Sequence, residues 1–87
     1  MKVIFPGSFD PVTKGHLNVI YRAANLFDTV IVGVLINQVK PALFTPQEKI
    51  EMIEELMYDY SNVTVKLFSG LLVDFIREEK ANAVVRG

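Results

Sequence analysis

Residues Val30 to Ile36 form an unbroken run of β-branched and aliphatic side chains that contains one glycine. A strand with one face in water alternates apolar and polar residues, whereas a strand covered on both faces is apolar throughout. The run therefore predicts a strand of a parallel sheet that has helices packed on both faces. This feature limits the fold more than any other in the sequence.

Strand and helix patterns alternate on either side of that run. Val3-Ile4-Phe5 predicts a first strand that stops at Pro6-Gly7, and apolar residues at helical spacing predict a first helix from Gly15 onward. Thr45-Pro46-Gln47-Glu48 has the capping residue, the proline and the glutamate that are typical of a helix start. We therefore expect a second helix to begin at this segment.

The remaining sequence completes a βαβαβαβ order. Apolar and polar residues alternate from Val63 to Leu67 as in a third strand, apolar residues from Leu72 to Ile76 indicate a third helix, and Ala83-Val84-Val85 indicates a fourth strand. This order predicts right-handed crossovers and a Rossmann-like, doubly wound α/β fold. Because such a strand normally leads into another loop and helix, we expect residues 1–87 to be the amino-terminal part of a single domain, truncated after the fourth strand.

Composition excludes several classes of protein. A hydrophobic content of 51% and a charged content of 22% are ordinary for a folded chain, and the absence of cysteine excludes disulfides, thiolate metal sites and thiol nucleophiles. The net charge of −1 does not suggest a nucleic-acid arm, and no apolar window approaches the length of a signal peptide or membrane span. We expect a cytoplasmic protein that binds neither nucleic acid nor membrane.

Polar and glycine-rich segments follow three of the predicted strands. Residues 7–16 follow the first strand, Lys40 follows the second and Arg86 follows the fourth. In open α/β sheets, ligands bind outside the carboxyl ends of the strands, where the strand order reverses. The three segments are therefore expected to converge on one edge of the sheet and to form the functional site there.

The segment from Gly7 to His16 has the character of a phosphate site. Glycines let backbone amides approach phosphate oxygens, and the start of the following helix adds a partial positive charge. His16 is the single histidine, and in the first turn of that helix its imidazole could donate a hydrogen bond to a phosphate under attack. The alternative is that His16 is a satisfied surface or capping residue and that the glycines only form a turn.

The same segment resembles the signature of the nucleotidyltransferase superfamily. Gly7-Ser8-Phe9-Asp10-Pro11 precedes Thr13-Lys14-Gly15-His16, which is similar to the superfamily's (Thr or His)-x-Gly-His motif. Threonine in the first motif position resembles the phosphopantetheine adenylyltransferases more than the nicotinate-mononucleotide or cytidylyl enzymes. Further similar segments, in the family's order and at nearly its spacing, are Lys40 with Phe44-Thr45-Pro46-Gln47-Glu48, Gly70-Leu71-Leu72-Val73-Asp74-Phe75, and Val84-Val85-Arg86-Gly87. The resemblance covers essentially the whole chain.

The resemblance implies transfer of an adenylyl group from ATP to the phosphate of 4′-phosphopantetheine, which gives dephospho-coenzyme A and pyrophosphate in coenzyme A biosynthesis. In that family the acceptor phosphate attacks the α-phosphorus in line and no protein nucleophile takes part, so the protein positions the reactants and neutralises charge. Mg²⁺ is the implied cofactor, held largely by phosphates and water. Relatives assemble as hexamers, which implies a homo-oligomer.

The resemblance also implies roles for individual residues. His16 matches the histidine that stabilises the α-phosphate, and Lys40 is the second implied catalytic residue. The implied residues for binding the acceptor substrate are Ser8, Lys40, Leu72 and Arg86. The implied residues for binding ATP are Gly7, Ser8, Phe9, His16 and Gly87, with Gly15 also shaping the pocket. No residue is implied as a direct metal ligand.

Simpler explanations stay open for several of these residues. Lys40 could be a solvated loop lysine, and it stands alone where many relatives have an adjacent pair of lysines. Leu71 and Leu72 could be ordinary helix-face residues. Asp10 precedes a proline, and we assign it to a turn rather than to a metal.

Two alternative functions also stay open. One is a truncated, non-catalytic module with residual phosphate binding. The other is a sister nucleotidyltransferase that acts on a different phosphate acceptor.

Overall fold

The computed structural model of the chain describes residues 1–36 and 42–86. Four strands, β1 (Lys2–Gly7), β2 (Thr29–Leu35), β3 (Val63–Phe68) and β4 (Ala83–Val84), alternate with three helices, α1 (Lys14–Leu26), α2 (Pro46–Leu56) and α3 (Leu72–Glu79). The order βαβαβαβ agrees with the sequence prediction. None of these three helices has the length and apolar character needed to cross a bilayer.

The four strands form one parallel sheet in the order β3-β2-β1-β4. The chain therefore moves outward from β1 to β3 and then returns to place β4 on the other side of β1. This reversal lies between β1 and β4, and the crevice outside the carboxyl ends of two such strands is the usual ligand site of a doubly wound sheet. The topology thus indicates a ligand-binding site at the carboxyl end of β1.

Alternate strand residues face two separate cores, one on each side of the sheet. On the first side the strands pack against α1 and α2, in a cluster that includes Phe5, Val32, Val34, Ile20 and Ile53. On the second side they pack against α3, in a cluster that includes Ile4, Ile31, Phe68 and Phe75. Because β2 contributes buried residues to both cores, the prediction from its apolar run is confirmed, and so is the doubly wound α/β class.

β1 continues through Pro6-Gly7, where the sequence predicted that it would stop. Pro6 pairs with Gly33 of β2 and Gly7 pairs with Val34, whereas β4 pairs only with Val3 and Ile4 of β1. At Pro6 the strand therefore has one hydrogen-bonded neighbour, and a residue without an N–H is tolerated where one side of a strand is free. The longer strand brings Pro6 to the carboxyl edge of the sheet.

The start of α2 is the one that the sequence predicts. The Thr45 hydroxyl accepts a hydrogen bond from the Glu48 backbone N–H at 3.1 Å, and the Glu48 carboxylate accepts one from the Thr45 backbone N–H at 2.8 Å. Pro46 occupies the first turn, where its missing N–H costs nothing. The reciprocal pair of bonds satisfies two amides that the helix itself leaves without acceptors.

Candidate active site

His16 is held at the start of α1 by a reciprocal pair of hydrogen bonds with Thr13. The Thr13 hydroxyl accepts a hydrogen bond from the His16 backbone N–H at 3.2 Å, and Nδ1 of the imidazole accepts one from the Thr13 backbone N–H at 3.0 Å. This is the same capping box as at α2, with histidine in the position that normally holds Glu or Gln. His16 therefore does act as a capping residue, which was the simpler explanation for it.

The contact with Thr13 fixes which ring nitrogen carries the proton when the imidazole is neutral. A backbone N–H can only donate, so Nδ1 must be the unprotonated acceptor and Nε2 must carry the hydrogen. A neutral His16 therefore offers an N–H donor at Nε2. A preorganised donor of this kind can stabilise negative charge that develops on a nearby oxygen.

Two aromatic side chains lie against the imidazole. The ring of Phe9 meets it edge-on, with 4.9 Å between the ring centroids, and the ring of Phe5 lies 6.2 Å away. The backbone of Phe9 has a φ of 48°, which is uncommon for a residue other than glycine, and the residue is 3% exposed. This ring also covers Gly7, where an added Cβ would lie 3.1 Å from it. Phe9, expected to shape the site through its backbone, thus also supports His16 with its side chain.

His16 lines a cleft of about 330 Å³ between the end of β1 and the start of α1, which we call the His16 cleft. Its lining residues are Phe5, Pro6, Thr13, Gly15, His16 and Val19. The first turn of α1 contains no acidic residue, whereas α2 has Glu48 and α3 has Asp74 there. The positive end of the α1 dipole is therefore not offset by its own side chains, which favours binding of an anion such as phosphate.

A second cleft, of about 250 Å³, lies beside the end of β1 where the strand order reverses, and we call it the Arg86 cleft. Its lining residues are Phe5, Pro6, Leu72, Val84, Val85 and Arg86. Both clefts contain Phe5 and Pro6, so His16 and Arg86 lie on either side of the same two residues of β1. The structure thus brings together the predicted residues after the first and fourth strands.

Of the other predicted site residues that the structure describes, Leu72 lines one of the two clefts and Ser8 lines neither. Ser8 is exposed in the loop after β1 and lines neither cleft. Leu72 lines the Arg86 cleft, whereas the neighbouring Leu71 is 65% exposed and does not. Lys40 and Gly87 lie outside the described residues.

Asp10 uses its carboxylate to hold the segment that leads into α2. The carboxylate oxygens accept hydrogen bonds from the backbone N–H groups of Leu43, at 2.8 and 3.1 Å, and of Phe44, at 3.0 Å. The Nζ atom of the buried Lys49 is 3.9 Å from Oδ1. These contacts give Asp10 a structural role in the segment that leads into α2. The described residues contain no group of three or more His, Cys, Asp or Glu side chains that could hold a metal ion.

We expect Asp10→Asn to loosen residues 43–44 while the fold persists. Asparagine has one acceptor oxygen and no charge, so at least one of the three hydrogen bonds is lost and the others become weaker, at a cost of about 1–2 kcal/mol. Hydrogen exchange should speed up at the Leu43 and Phe44 amides and stay slow at the amides of β2. The matched control is Asp59→Asn, at an exposed position after α2. Unchanged exchange at both amides in Asp10→Asn would contradict this role.

Sequence reasoning missed Phe5 and Pro6 as lining residues, and it missed the burial of Lys49. The sequence pattern predicts a core strand at Phe5 and a turn at Pro6. The signal that could have found them is their position at the end of the strand that adjoins the reversal. The capping role of His16 is visible in the Thr-x-x-His spacing, which repeats the Thr-x-x-Glu spacing at Thr45.

The chain is similar in sequence to known proteins. Residues 4–87 match the sequence profile of the cytidylyltransferase-like family. A protein from Clostridium perfringens named phosphopantetheine adenylyltransferase is 54% identical over 84 residues, covering 97% of this chain and 51% of its own length. A protein of the same name from Clostridium kluyveri is 50% identical over 86 residues, covering 99% of this chain and 52% of its own length. The chain thus spans about half the length of the curated relatives it matches.

Solved structures with the same fold include two proteins of low sequence identity. The lipopolysaccharide core biosynthesis protein of Thermoplasma volcanium superposes with a TM-score of 0.77 at 22% identity, over 97% of this chain and 71% of that one. A bifunctional NMN adenylyltransferase/ADP ribose pyrophosphatase of Francisella tularensis, complexed with AMP and a manganese ion, superposes with a TM-score of 0.69 at 25% identity, over 92% of this chain and 25% of that one. These superpositions support the Rossmann-like fold.

Proposed function

Because the chain belongs to the cytidylyltransferase-like family, we propose that it forms the amino-terminal part of an enzyme that transfers the adenylyl group of ATP to the phosphate of 4′-phosphopantetheine. The names of the relatives at 50% and 54% identity support this acceptor. One observation carries the proposal: a histidine whose Nε2–H is fixed as a donor lines a cleft at the start of α1 and shares a wall with the Arg86 cleft.

In this proposal the ATP phosphates lie in the His16 cleft. The acceptor phosphate oxygen attacks the α-phosphorus, the bond from that phosphorus to the bridging oxygen breaks, and pyrophosphate leaves with the electron pair. His16 donates its Nε2–H to an oxygen of the α-phosphate as the phosphorus becomes five-coordinate. The amides at the start of α1 and the uncompensated helix dipole attract the same phosphates, so the residues supply position and charge rather than a nucleophile.

The acceptor occupies the Arg86 cleft. The planar guanidinium of Arg86 can bond two oxygens of the acceptor phosphate at once, which orients it as well as neutralising it. Leu72 and Val84 give the cleft an apolar wall that suits the uncharged pantetheine arm. Ser8 and Lys40 belong to the proposal through the sequence motif, Ser8 as a donor from the loop after β1 and Lys40 as a positive charge.

Mg²⁺ is also part of the proposal, and when bound it would offset the charge of the ATP phosphates. The described residues offer no cluster of three metal-binding side chains, so its ligands would come mainly from phosphate oxygens and water. We further propose that residues 1–87 belong to a single domain of a cytoplasmic homo-oligomer, hexameric by family resemblance. These statements depend on the resemblance and on the names of the relatives.

The test measures pyrophosphate release with ATP, Mg²⁺ and 4′-phosphopantetheine. Because the chain spans about half the length of its curated relatives, it should be assayed alone and as a chimera in which it replaces the matching half of the Clostridium perfringens protein. We expect the chimera to release pyrophosphate with 4′-phosphopantetheine and not with nicotinate mononucleotide. A folded chimera that prefers nicotinate mononucleotide, or that is inactive with both acceptors, would refute the proposed reaction.

A phosphate-binding module without catalysis is the second candidate. The observation that favours it is that residues of this chain alone form both clefts. Calorimetry on the 87-residue chain with ATP and with 4′-phosphopantetheine separates the two candidates. Weak binding without turnover, in the chain and in the chimera alike, would support the module, and turnover in the chimera would remove it.

We expect Gly15→Ala to weaken ATP binding at least about 10-fold without loss of stability. Gly15 lies in α1, where alanine is favoured over glycine by about 1 kcal/mol, and an added Cβ would meet only the Thr13 hydroxyl, at 3.6 Å. The methyl group would instead occupy space at the wall of the His16 cleft. Calorimetry with ATP and a thermal melt measure the two effects. The control is Asn18→Ala, at an exposed position of the same helix, and equal ATP affinities in the two variants would count against the placement of ATP.

A further inference from the structure

The capping box at the start of α1 uses a histidine where α2 uses a glutamate. We propose that Thr13 is a positioning residue for His16, and that its backbone N–H and hydroxyl together hold the neutral imidazole with its proton on Nε2. The consequence for catalysis rests on the proposed function. The tautomer itself does not, and it can be measured without any substrate.

Two contacts from one residue fix both ends of the histidine. The Thr13 hydroxyl holds the His16 backbone N–H at 3.2 Å, and the Thr13 N–H holds Nδ1 at 3.0 Å. If the ring turned by 180° about its bond to Cβ, a carbon would face the Thr13 N–H and the second bond would be lost. The edge-on contact with the Phe9 ring further restricts this rotation. The ring therefore has one preferred orientation.

The second capping box of the chain shows what histidine adds. At α2 the Glu48 carboxylate accepts the Thr45 N–H at 2.8 Å, and an ionised carboxylate can only accept. An imidazole has two nitrogens, so one can accept from the cap while the other donates to a ligand. The capping box at α1 thus caps its helix as the box at α2 does. It also leaves Nε2 of His16 as a hydrogen-bond donor, because Nδ1 accepts from the cap.

Nitrogen NMR of the isotopically labelled 87-residue chain tests the proposal directly. His16 is the only histidine, so its two ring nitrogens give the only imidazole signals. At a pH at which imidazole is neutral, we expect Nδ1 to show the signal of an unprotonated nitrogen and Nε2 that of a protonated one. Thr13→Val keeps the backbone N–H but removes the hydroxyl that holds the His16 backbone within its reach, so both signals should move toward those of a free imidazole, and Thr13→Ser should restore them.

The matched control is Thr45→Val, which removes the corresponding hydroxyl from the box at α2. Both valine variants should lose a similar amount of thermal stability, and only Thr13→Val should change the imidazole signals. In the chimera, Thr13→Val should lower kcat about 10-fold with little change in the KM for ATP, whereas Thr45→Val and Thr13→Ser should keep kcat within about 2-fold.

Each outcome of these experiments supports or overturns the proposal. A wild-type signal showing the proton on Nδ1, or Thr13→Val signals identical to wild type, would refute the positioning role whatever the activity. If the signals respond as expected but His16→Ala in the chimera keeps full turnover, then the positioning role of Thr13 stands and the proposed function fails. The two failures are therefore distinguishable.

Discussion

In the chimera, His16→Ala should lower the turnover of the proposed reaction by about 10²–10³-fold, which is the cost of removing one preorganised donor from a developing oxyanion. In the proposed reaction the α-phosphorus gains a fifth oxygen in the transition state, and the Nε2–H, oriented by the contact of Nδ1 with Thr13, would donate to the negative charge that develops there. Substrate binding depends on many other contacts, so the KM for ATP should change only a few-fold. Steady-state kinetics of the chimera, with ATP varied at saturating 4′-phosphopantetheine, separates the two parameters.

His16→Gln is the control that separates catalysis from helix capping. Glutamine is a normal residue at this position of a capping box and can accept the Thr13 N–H, so the stability of α1 should be retained. Alanine removes the cap as well and should cost about 1 kcal/mol of stability. We expect both variants to lose most of their turnover although only His16→Ala loses stability. Full turnover in His16→Gln would show that the imidazole contributes only as a cap.

The fold was more predictable from sequence than the site, because the two depend on different kinds of information. The apolar run of β2 is a local pattern from which burial on both faces follows directly. The capping box at Thr45 is another, because its two hydrogen bonds form within one turn. The wall shared by the two clefts depends on β4 lying next to β1. Hydrophobic periodicity shows which residues of a strand are buried, and it does not report which strand lies beside it.

Individual residues illustrate the same limit. By its local sequence Pro6 should end β1. It is tolerated within the strand because β4 pairs only with an earlier part of β1. Lys49 has the local pattern of a surface residue of α2, yet it is 6% exposed and its Nζ lies 3.9 Å from Oδ1 of Asp10. In both cases a contact distant in sequence overrides the local pattern.

Gly33→Ala should destabilise the chain by about 1–3 kcal/mol, although alanine normally suits a strand better than glycine. The rings of Phe68 and Phe75 stack on each other with their centroids 4.5 Å apart and their planes 7° from parallel. A Cβ added to Gly33 would lie 2.8 Å from the Phe75 ring and 3.3 Å from the Phe68 ring. Because Phe75 is buried and packed, one of the rings or β2 itself must move.

A double-mutant cycle with Phe75→Leu tests this explanation. Leucine at position 75 removes the ring that an added Cβ would meet, so Gly33→Ala should cost clearly less in that background, which urea denaturation of the four proteins would measure. Equal costs in the two backgrounds would rule out the steric conflict. Gly33 also pairs with Pro6 across the sheet, and Pro6 lines both clefts. A shift of β2 away from the rings would therefore move the wall shared by the two clefts, so Gly33→Ala should also weaken ligand binding although the glycine touches neither cleft.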